Sequence, residues 1–481
     1  MLYYLFEYLQ KTTNLSGASL FNYVSFRAMA AAFVGLLVSI WFGKHFINRM
    51  HKRKVFENQN RNIPGAKKEA VNPYKKLPVP ETLENDDAFI NSLNDKERKL
   101  HPTQLINPKT TNAEGKEVDR NLDLYNTEKT NVPTFGGVII LVATILACLL
   151  VCKLHNIYTL LLLVTTLILG ALGLADDYIK TFKKKKDGLK PVTKLAVQLF
   201  VGIIVAVTLR LHPAVVINES VEVKIEDNKE VVVKSPDIKS TRTTLPFAKD
   251  WNINYANLFK WAGEKWMYTL GWGLLILVVL FAVLAVSNGS NLNDGMDGMA
   301  AGNTAVMAVA LGIIAYTCSN AVMAGHLNQM YVPGGEEVVV YLSGFVGALL
   351  GYLWFNAYPA QIFMGDTGSL TIGGIIAVSA IIIHKELMLI LLCGVFLFEI
   401  LADFDTKIFV KRGKKHRIWK CAPVHDHFRT SYRHFKARWG EANVTFKGSG
   451  QLQHEVKITT RFWIVSLVLA VLTLLLTLKI R

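Results

Sequence analysis

The sequence predicts an all-α polytopic membrane protein of about ten transmembrane helices, with both termini periplasmic and a small β-prone periplasmic insertion. Two observations predict this fold. The 481 residues are 51% hydrophobic, and the apolar residues form blocks, such as 270–286 and 462–478, that are as long as a membrane-spanning helix and almost free of charge. Lys and Arg cluster in some connections between the blocks and are scarce in others, and this bias orients membrane helices.

Hydropathy places the spans at residues 23–42, 135–151, 157–174, 195–211, 267–286, 299–318, 338–354, 370–383, 387–401 and 462–478. Only His384, Lys385 and Glu386 separate the eighth span from the ninth, so these two could be one broken segment. An odd count would then put one terminus on the other side of the membrane.

The connections give the orientation. Basic loops begin at Lys52 and occupy residues 183–186 and 411–417, so we assign them to the cytoplasm. The connection after Cys318 carries no Lys or Arg before the next span, which indicates the periplasmic side. With ten spans, both termini are then periplasmic.

The formal net charge of +16 lies largely in short loops beside the spans, where topology and anionic lipid headgroups account for it. We therefore expect membrane lipids, and not nucleic acid, as the partner of this charge. The first apolar segment is followed by its basic cluster, so it reads as a retained span and not as a cleaved signal peptide. The five cysteines show no CxxC spacing, which argues against a disulfide framework and a zinc site.

We expect a single integral-membrane domain covering residues 1–481. Three of the connections between its spans are long enough to contain structure of their own. Residues 45–131 form an enlarged cytoplasmic loop with one short helix near residues 80–100. Residues 212–265 contain two β-prone runs, 221–225 and 231–234, which predict a small exported hairpin. Residues 404–460 form the last cytoplasmic loop. No Walker A motif is present, so nothing indicates that ATP supplies energy.

Acidic residues gather at the cytoplasmic ends of the spans. Asp176 and Asp177 close the third span in the run GLADDYIK, at an expected helix C-terminus, where the helix dipole disfavours negative charge by a few tenths to about 1 kcal/mol. Lys180, Lys194 or a divalent cation would each compensate. The alternative is a solvent-exposed signal that merely ends the span.

A second polar cluster is the run NGSNLNDGMDGMA at residues 288–300. Asn291, Asp294 and Asp297 recur at intervals of three, so a helical turn would place them on one side. Gly295 and Gly298 leave room for close backbone approach. Such a loop suits a nucleotide or a metal, and the alternative is a pair of helix caps that open the sixth span.

Two further clusters follow. Asn356 precedes FMGDTGS at residues 363–369, where Asp366 begins the eighth span beside free backbone N–H groups that could receive a phosphate with its metal. Ordinary helix capping is the alternative for this aspartate. His425 and His427 lie in the run PVHDHF, and a lone His-x-His pattern is more often a solvated loop than a ligand pair.

All four clusters fall on the cytoplasmic face of the ten-span arrangement. Carboxylates, lysines and histidines on a membrane surface suit phosphoryl chemistry, in which charge neutralisation and alignment of the attacking oxygen do most of the catalysis.

The motifs DDYIK, NLNDGMDG and FMGDTGS, with the spacing from Asn356 to Asp366, resemble the superfamily of polyprenyl-phosphate N-acetylhexosamine-1-phosphate transferases. The runs PTFGG at 133–137, PVHDHF and RFWI at 461–464 are most similar to the branch whose donor is UDP-N-acetylmuramoyl-pentapeptide. The resemblance covers most spans and all the cytoplasmic motifs, but not residues 45–131 in detail or residues 212–265. Those two regions look like enlargements of shorter loops.

The resemblance implies an inner-membrane enzyme with an active-site cleft open to the cytoplasm and inner leaflet, Mg²⁺ dependence and a homodimer. It implies catalytic roles for Asp176, Asp177, Asp366 and His425, with the metal on Asp366. The substrate-binding residues that it implies are Lys180 and Lys194 on phosphates, Asn291, Asp294, Asp297 and Asn356 on the nucleotide side, Phe363 stacking on uracil, and Thr134, Lys129 and His427.

The reaction expected from this resemblance is attack by the phosphate of undecaprenyl phosphate on the sugar-linked phosphate of the donor, giving lipid I and UMP, with Asp176 or Asp177 deprotonating or orienting the acceptor. A covalent aspartyl-phosphate route stays open. So do a sister transferase that uses UDP-N-acetylglucosamine and a lipid carrier without chemistry. The chain departs from the family at Asp426, which replaces the middle of three histidines, and we expect its carboxylate to fix the tautomer of His425 or His427.

Overall fold

The computed structural model describes residues 1–13, 17–53, 55, 109–111, 117–119, 132–183, 185, 187–226, 229–245, 252–411, 416–429, 443–446 and 453–478. The chain divides into two compact units, one of Met1–Val55 with Pro133–Arg481 and one of Phe56–Val132. In the second unit, strands β1 (Lys109–Thr111) and β2 (Glu117–Asp119) form an antiparallel pair. Residues 80–100, the place of the predicted short helix, lie outside the described residues.

Apolar helices build the first unit. They are α1 Leu2–Thr13, α2 Val24–Lys52, α3 Gly137–Val151, α4 Ile157–Phe182, α5 Pro191–Leu211, α6 Glu264–Asn293, α7 Met299–Ser319, α8 Ala321–His326, α9 Glu336–Asn356, α10 Gly365–Ile382, α11 Leu389–Leu392, α12 Gly394–Lys411, α13 Val424–Arg429 and α14 Glu455–Thr477, with 3₁₀ turns at Ala18–Asn22, Tyr255–Ala262 and Glu386–Met388.

Short strands connect some of these helices. They are β3 Val221–Glu226, β4 Lys229–Lys234, β5 Arg242–Thr244, β6 Asn252–Asn254, β7 His416–Arg417 and β8 Asn443–Val444. Strands β3 and β4 are antiparallel with Val221 opposite Lys234, which confirms the predicted hairpin. Strands β5 and β6 pair in the same way within the insertion, and β7 pairs with β8 in parallel.

Each of the ten predicted spans coincides with a helix or a helix pair. By length and composition, eight helices in the described residues could cross a membrane, and α3 is a shorter apolar helix. The ninth predicted span, over 387–401, is a pair of helices, because the chain bends by 77° at the break between Leu392 and Gly394. Cys393 leaves helical geometry there, with φ −92° and ψ 22°. The count of ten spans stays a prediction.

A buried ion pair that the sequence analysis overlooked joins α2 to α9. Arg27 Nη1 lies 2.5 Å from Glu337 Oε1, and neither side chain is exposed. Lys153, just after α3, donates its backbone N–H to the second oxygen of Glu337 at 2.8 Å. Charges buried in this way are tolerated because each is paired, so the pair locks three helices together.

The polar turn after α10 is the docking point of the insertion. The carbonyl of His384 accepts the N–H of Thr244 at 3.2 Å, and Lys385 Nζ donates to Thr244 Oγ1 at 2.5 Å. Tyr255 donates its hydroxyl to Glu386 at 3.2 Å. All three residues of the turn are buried, and burial lowers the pKa of Lys385. The side chains of His384, Lys385 and Glu386 therefore make buried contacts with the insertion and do not form a solvent-exposed loop.

The helices share two ends, one at the start of α10 and the other, called here the far end, beyond the last residue of α10. Helix α10 begins at Gly365 and ends at Ile382, so its ends lie roughly 27 Å apart at about 1.5 Å per residue. Its far end holds the insertion through His384. Tyr4 of α1 accepts the N–H of Leu154 beyond the far end of α3, and Thr477 of α14 accepts from Gln329 near the far end of α7. Both terminal helices therefore reach the end occupied by the insertion, opposite the start of α10.

We predict that Thr244→Val destabilises the protein by about 1–3 kcal/mol, because the isosteric side chain leaves the buried Lys385 ammonium without that acceptor. Thermal unfolding of the detergent-purified protein measures this effect. The matched control is Thr269→Val, since Thr269 is exposed and bonds only within its own helix. Equal melting temperatures for the two variants would contradict the docking role of Lys385.

Candidate active site

The site is built where the backbones of α3, α4 and α10 meet. A Cβ atom on Gly173 of α4 would lie 2.3 Å from the carbonyl oxygen of Asp366, and one on Gly137 of α3 would lie 2.1 Å from the nitrogen of Gly368. No side chain fits between these helices. The close approach therefore requires glycine and brings the start of α10 directly onto α4.

Asp177 caps the start of α10. Its Oδ1 accepts the N–H of Asp366 at 2.9 Å, and its Oδ2 accepts the N–H and the hydroxyl of Thr367 at 2.9 and 2.6 Å. The first N–H groups of a helix have no partner within the helix, so a carboxylate from α4 supplies one. Asp366 does not cap its own helix, and its carboxylate remains free for other contacts.

Asp176 and Asp366 are bridged by two lysines. Lys180 Nζ lies 2.7 Å from Asp176 and 3.1 Å from Asp366. Lys194 Nζ, from the first turn of α5, lies 3.0 Å from Asp176 and 2.5 Å from Asp366. Both lysines expected to compensate the paired aspartates thus contact Asp176, whereas the Asp177 carboxylate accepts backbone N–H groups. The expected helix end at the aspartates is wrong, because α4 continues to Phe182 and so carries Lys180 one turn further along the same face.

Exposure distinguishes the members of this cluster. The side chain of Asp176 is fully buried and that of Asp366 is 12% exposed, whereas Lys180 and Lys194 are 31% and 20% exposed. An incoming anion therefore meets the lysines and Asp366 first. Three carboxylates and two ammonium groups leave one net negative charge, since −3 + 2 = −1.

One ligand oxygen from each of the three aspartates lies within 4.8 Å of those from the other two. Oxygen donors in this arrangement suit a hard divalent cation such as Mg²⁺. Asp366 and Asp176 fit best as ligands, because both oxygens of Asp177 accept backbone N–H groups, whereas Asp176 accepts one through Oδ1 alone.

Asn291 joins the cluster from the last turn of α6. Its amide donates to Asp366 Oδ1 at 3.1 Å and to Ser369 Oγ at 2.8 Å. The prediction that Asn291, Asp294 and Asp297 share one face of a helical turn is wrong. Helix α6 ends at Asn293, and Asp294 leaves helical geometry with φ −82° and ψ 49°, so the helical turn that would align the three residues does not continue to Asp297.

The loop at 294–298 is fixed by buried acceptors. Asp297 Oδ2 accepts the N–H of Ala360 at 3.0 Å, and Asn356 Oδ1 accepts the N–H of Gly298 at 3.0 Å. Glu455, in the first turn of α14, accepts the N–H of Asp297 at 2.8 Å. The structure thus brings Asp297 and Asn356 together as supports of this loop, while Asp294 ends α6 and is partly exposed.

The PTFGG and FMGDTGS motifs are neighbours through their backbones. Phe363 donates its N–H to the carbonyl of Pro133 at 2.9 Å, and its own carbonyl accepts the N–H of Gly136 at 2.8 Å. The side chain of Phe363 is partly exposed, whereas Thr134 is 4% exposed. Lys129 lies outside the described residues.

The histidine motif forms the short helix α13, and both of its histidines are buried. His425 Nδ1 lies 3.0 Å from Glu399, and His427 Nδ1 accepts the N–H of Lys420 at 3.0 Å. Asp426 pairs with Arg429 at 2.6 Å. The expectation that Asp426 holds a histidine is therefore wrong, because Glu399 of α12 makes that contact with His425.

Glu399 and Glu455 are the functional candidates that sequence reasoning missed. Glu399 stands in the apolar run FLFEILADF, and an acid inside a predicted span is a sign of function by itself. Glu455 precedes the last span, and nothing near it in the sequence indicates its contact with Asp297.

We predict that Asp177→Asn destabilises the protein by about 1–3 kcal/mol, because an amide nitrogen would face one of the buried N–H groups that the carboxylate now accepts. Asp187→Asn is the matched control, since Asp187 is exposed. Thermal unfolding in detergent compares the two. A melting temperature of Asp177→Asn equal to or above that of Asp187→Asn would contradict the capping role.

Comparison with known proteins identifies the family. Residues 159–384 match the model of glycosyl transferase family 4. Curated relatives named phospho-N-acetylmuramoyl-pentapeptide-transferase are 46% identical in Bacteroides fragilis, 47% in Bacteroides thetaiotaomicron and 39% in Flavobacterium johnsoniae, each over the whole of both chains. The matched region contains the lysine-bridged aspartates and ends at the docking turn of the insertion. With this identity along its whole length, the chain belongs to the phospho-N-acetylmuramoyl-pentapeptide transferase family.

Proposed function

We propose that the protein transfers phospho-N-acetylmuramoyl-pentapeptide from its UDP donor to undecaprenyl phosphate, giving lipid I and UMP in the first membrane step of peptidoglycan synthesis. The observation that carries this proposal is the pair of carboxylates bridged by Lys180 and Lys194 at the ends of apolar helices. The full-length identity to transferases of that name supports the choice of substrates.

The lysines neutralise substrate phosphate. Each ammonium lies within 3.1 Å of both Asp176 and Asp366, and each is more exposed than either carboxylate. A phosphate oxygen that approaches the cluster therefore meets two positive charges that are already oriented, and fixed charges of this kind stabilise the charge that develops during transfer.

The three aspartates take different tasks. Asp366 faces the substrate side and is the residue that orients the reacting phosphates. Asp176 is fully buried and holds both lysines, and it also accepts the N–H of Leu189 at 2.7 Å. Asp177 supports α10. This division revises the expectation that Asp176 or Asp177 meets the acceptor phosphate, and it gives that task to Asp366.

Mg²⁺ fits the donor set of Asp366 and Asp176. Both residues supply oxygen ligands, and the cluster has a net charge of −1 that a cation would offset. When bound, the ion supplies Lewis-acid stabilisation of the charge on the pyrophosphate. Asn291 orients Asp366 through its amide, so the carboxylate is held in place before substrate binds.

The two ends of the helices give the sidedness. We assign the start of α10, with its carboxylates, to the cytoplasmic face of the inner membrane. The insertion and both terminal helices then lie at the periplasmic end. The basic residues of the 183–186 loop, directly after α4, support this assignment. A homodimer stays a prediction.

A donor carrying N-acetylglucosamine is the second candidate, because the lysine-bridged cluster by itself would serve it equally well. We predict UMP release from UDP-N-acetylmuramoyl-pentapeptide with undecaprenyl phosphate and Mg²⁺, and none from UDP-N-acetylglucosamine. The measurement is UMP release by the purified protein, with Asp366→Asn as the inactive control. Release only from UDP-N-acetylglucosamine would favour the sister transferase, and release from neither donor would favour a carrier.

We also predict that Lys180→Gln and Lys194→Gln each lower turnover by about a hundredfold without loss of folded protein, because each removes one charge aimed at phosphate. Steady-state kinetics on the purified variants tests this. Lys183→Gln, at an exposed lysine in the same stretch, is the matched control. Wild-type kinetics in both lysine variants would refute the role.

A further inference from the structure

Glu399 is a fully buried acid with no task in the chemistry described so far. One oxygen accepts the N–H of Val424, and the other accepts the N–H of His425 at 3.3 Å. The second oxygen also lies 3.0 Å from His425 Nδ1. An ionised carboxylate only accepts hydrogen bonds, so the proton of the neutral His425 ring lies on Nδ1 and leaves Nε2 unprotonated.

His427 has the opposite arrangement. Its Nδ1 accepts a backbone N–H from Lys420, so the proton of its neutral ring lies on Nε2. Burial, with a smaller effect from the charge of Lys420, lowers the pKa of His427 to about 4. His427 is therefore neutral at physiological pH, and it is not the histidine that exchanges protons.

The Nε2 edge of His425 rests on the loop at 294–298. A Cβ atom on Gly295 would lie 2.0 Å from Nε2, so the ring edge touches the loop backbone. Asp426 Oδ1 lies 3.8 Å from Nε2 and is already paired with Arg429. The Nε2 edge of the ring therefore faces the loop at 294–298, on the side away from Glu399.

We propose that Glu399 is a positioning residue of the transfer reaction. It holds His425 with Nδ1 protonated and Nε2 directed at the loop beside Asn291 and Asp294, where Nε2 accepts a hydrogen bond or a proton from a phosphate hydroxyl of the substrate. When Nε2 takes that proton, the phosphate gains one negative charge and the ring one positive charge, which the Glu399 carboxylate stabilises. This inference rests on the proposed function.

The competing account is that Glu399 only holds the backbone at the start of α13 through the two N–H groups. A double-mutant cycle separates the two accounts. We expect Glu399→Gln to lower the turnover number by about 10- to 100-fold. In a His425→Ala background the same substitution should lower it no further, because the ring through which it acts is gone.

An additive loss in the double variant would overturn the proposal, and so would wild-type turnover in Glu399→Gln. Glu336→Gln is the matched control, since that carboxylate pairs with Lys153 at the opposite end of the helices. Gly295→Ala gives a second cycle, because the added methyl group would displace the ring from the other side. It should lower turnover in the wild type and not in the His425→Ala background.

The protonation state of the two His425 ring nitrogens can also be measured by spectroscopy in protein that retains Glu399. This test therefore does not depend on the folding of a Glu399 variant. In ¹⁵N-histidine-labelled protein, the side-chain signal that disappears in His425→Ala should show a protonated Nδ1 and an unprotonated Nε2 at neutral pH. A protonated Nε2 with bare Nδ1 would overturn the proposal. Failure of the proposed function is distinguishable, because wild-type protein would then release no UMP at all, whereas failure of this inference leaves wild-type release intact.

Discussion

The carboxylate of Asp177 holds the start of α10 against α4, and the geometry of the site depends on this contact. The first N–H groups of α10 are buried, and a helix end without acceptors is costly in a membrane protein. Asp177 satisfies two of them. Because Asp176 and Lys180 lie on the same helix as Asp177, the same contact brings Asp366 within reach of the lysines that also touch Asp176. Helix capping and assembly of the charged cluster are therefore one structural event.

A second consequence is the separation of the two ends. The candidate site lies at the ends of α4 and α6 and the starts of α5, α10 and α13, while the insertion is anchored to His384 and Lys385 beyond the far end of α10. No described contact links the insertion to the carboxylates. The insertion is thus free to be large without disturbing the site, which fits its lack of resemblance to the shorter family loops.

Much of the architecture could be predicted from sequence, because the bilayer directly determines the length of the apolar segments and the side on which the basic loops lie. The sequence nominated the candidate residues by type, because carboxylates, lysines and histidines suit phosphoryl chemistry. It could not predict which of them contact one another, because those contacts join residues that are distant in sequence. Spacing alone placed Asp297 beside Asn291, whereas the helix ends at Asn293 and the Asp297 carboxylate accepts the N–H of Ala360. The same applies to Glu399, whose partner His425 is 26 positions away.

Divalent-cation binding, measured by electron paramagnetic resonance with Mn²⁺ as the probe, tests the role of the carboxylate cluster most directly. We expect a single Mn²⁺ site that Mg²⁺ displaces, with affinity weaker by about tenfold or more in Asp366→Asn and in Asp176→Asn. Mn²⁺ affinity unchanged in both variants would contradict this role, because the lysine-bridged carboxylates would then not be the place where the protein gathers charge for phosphoryl transfer.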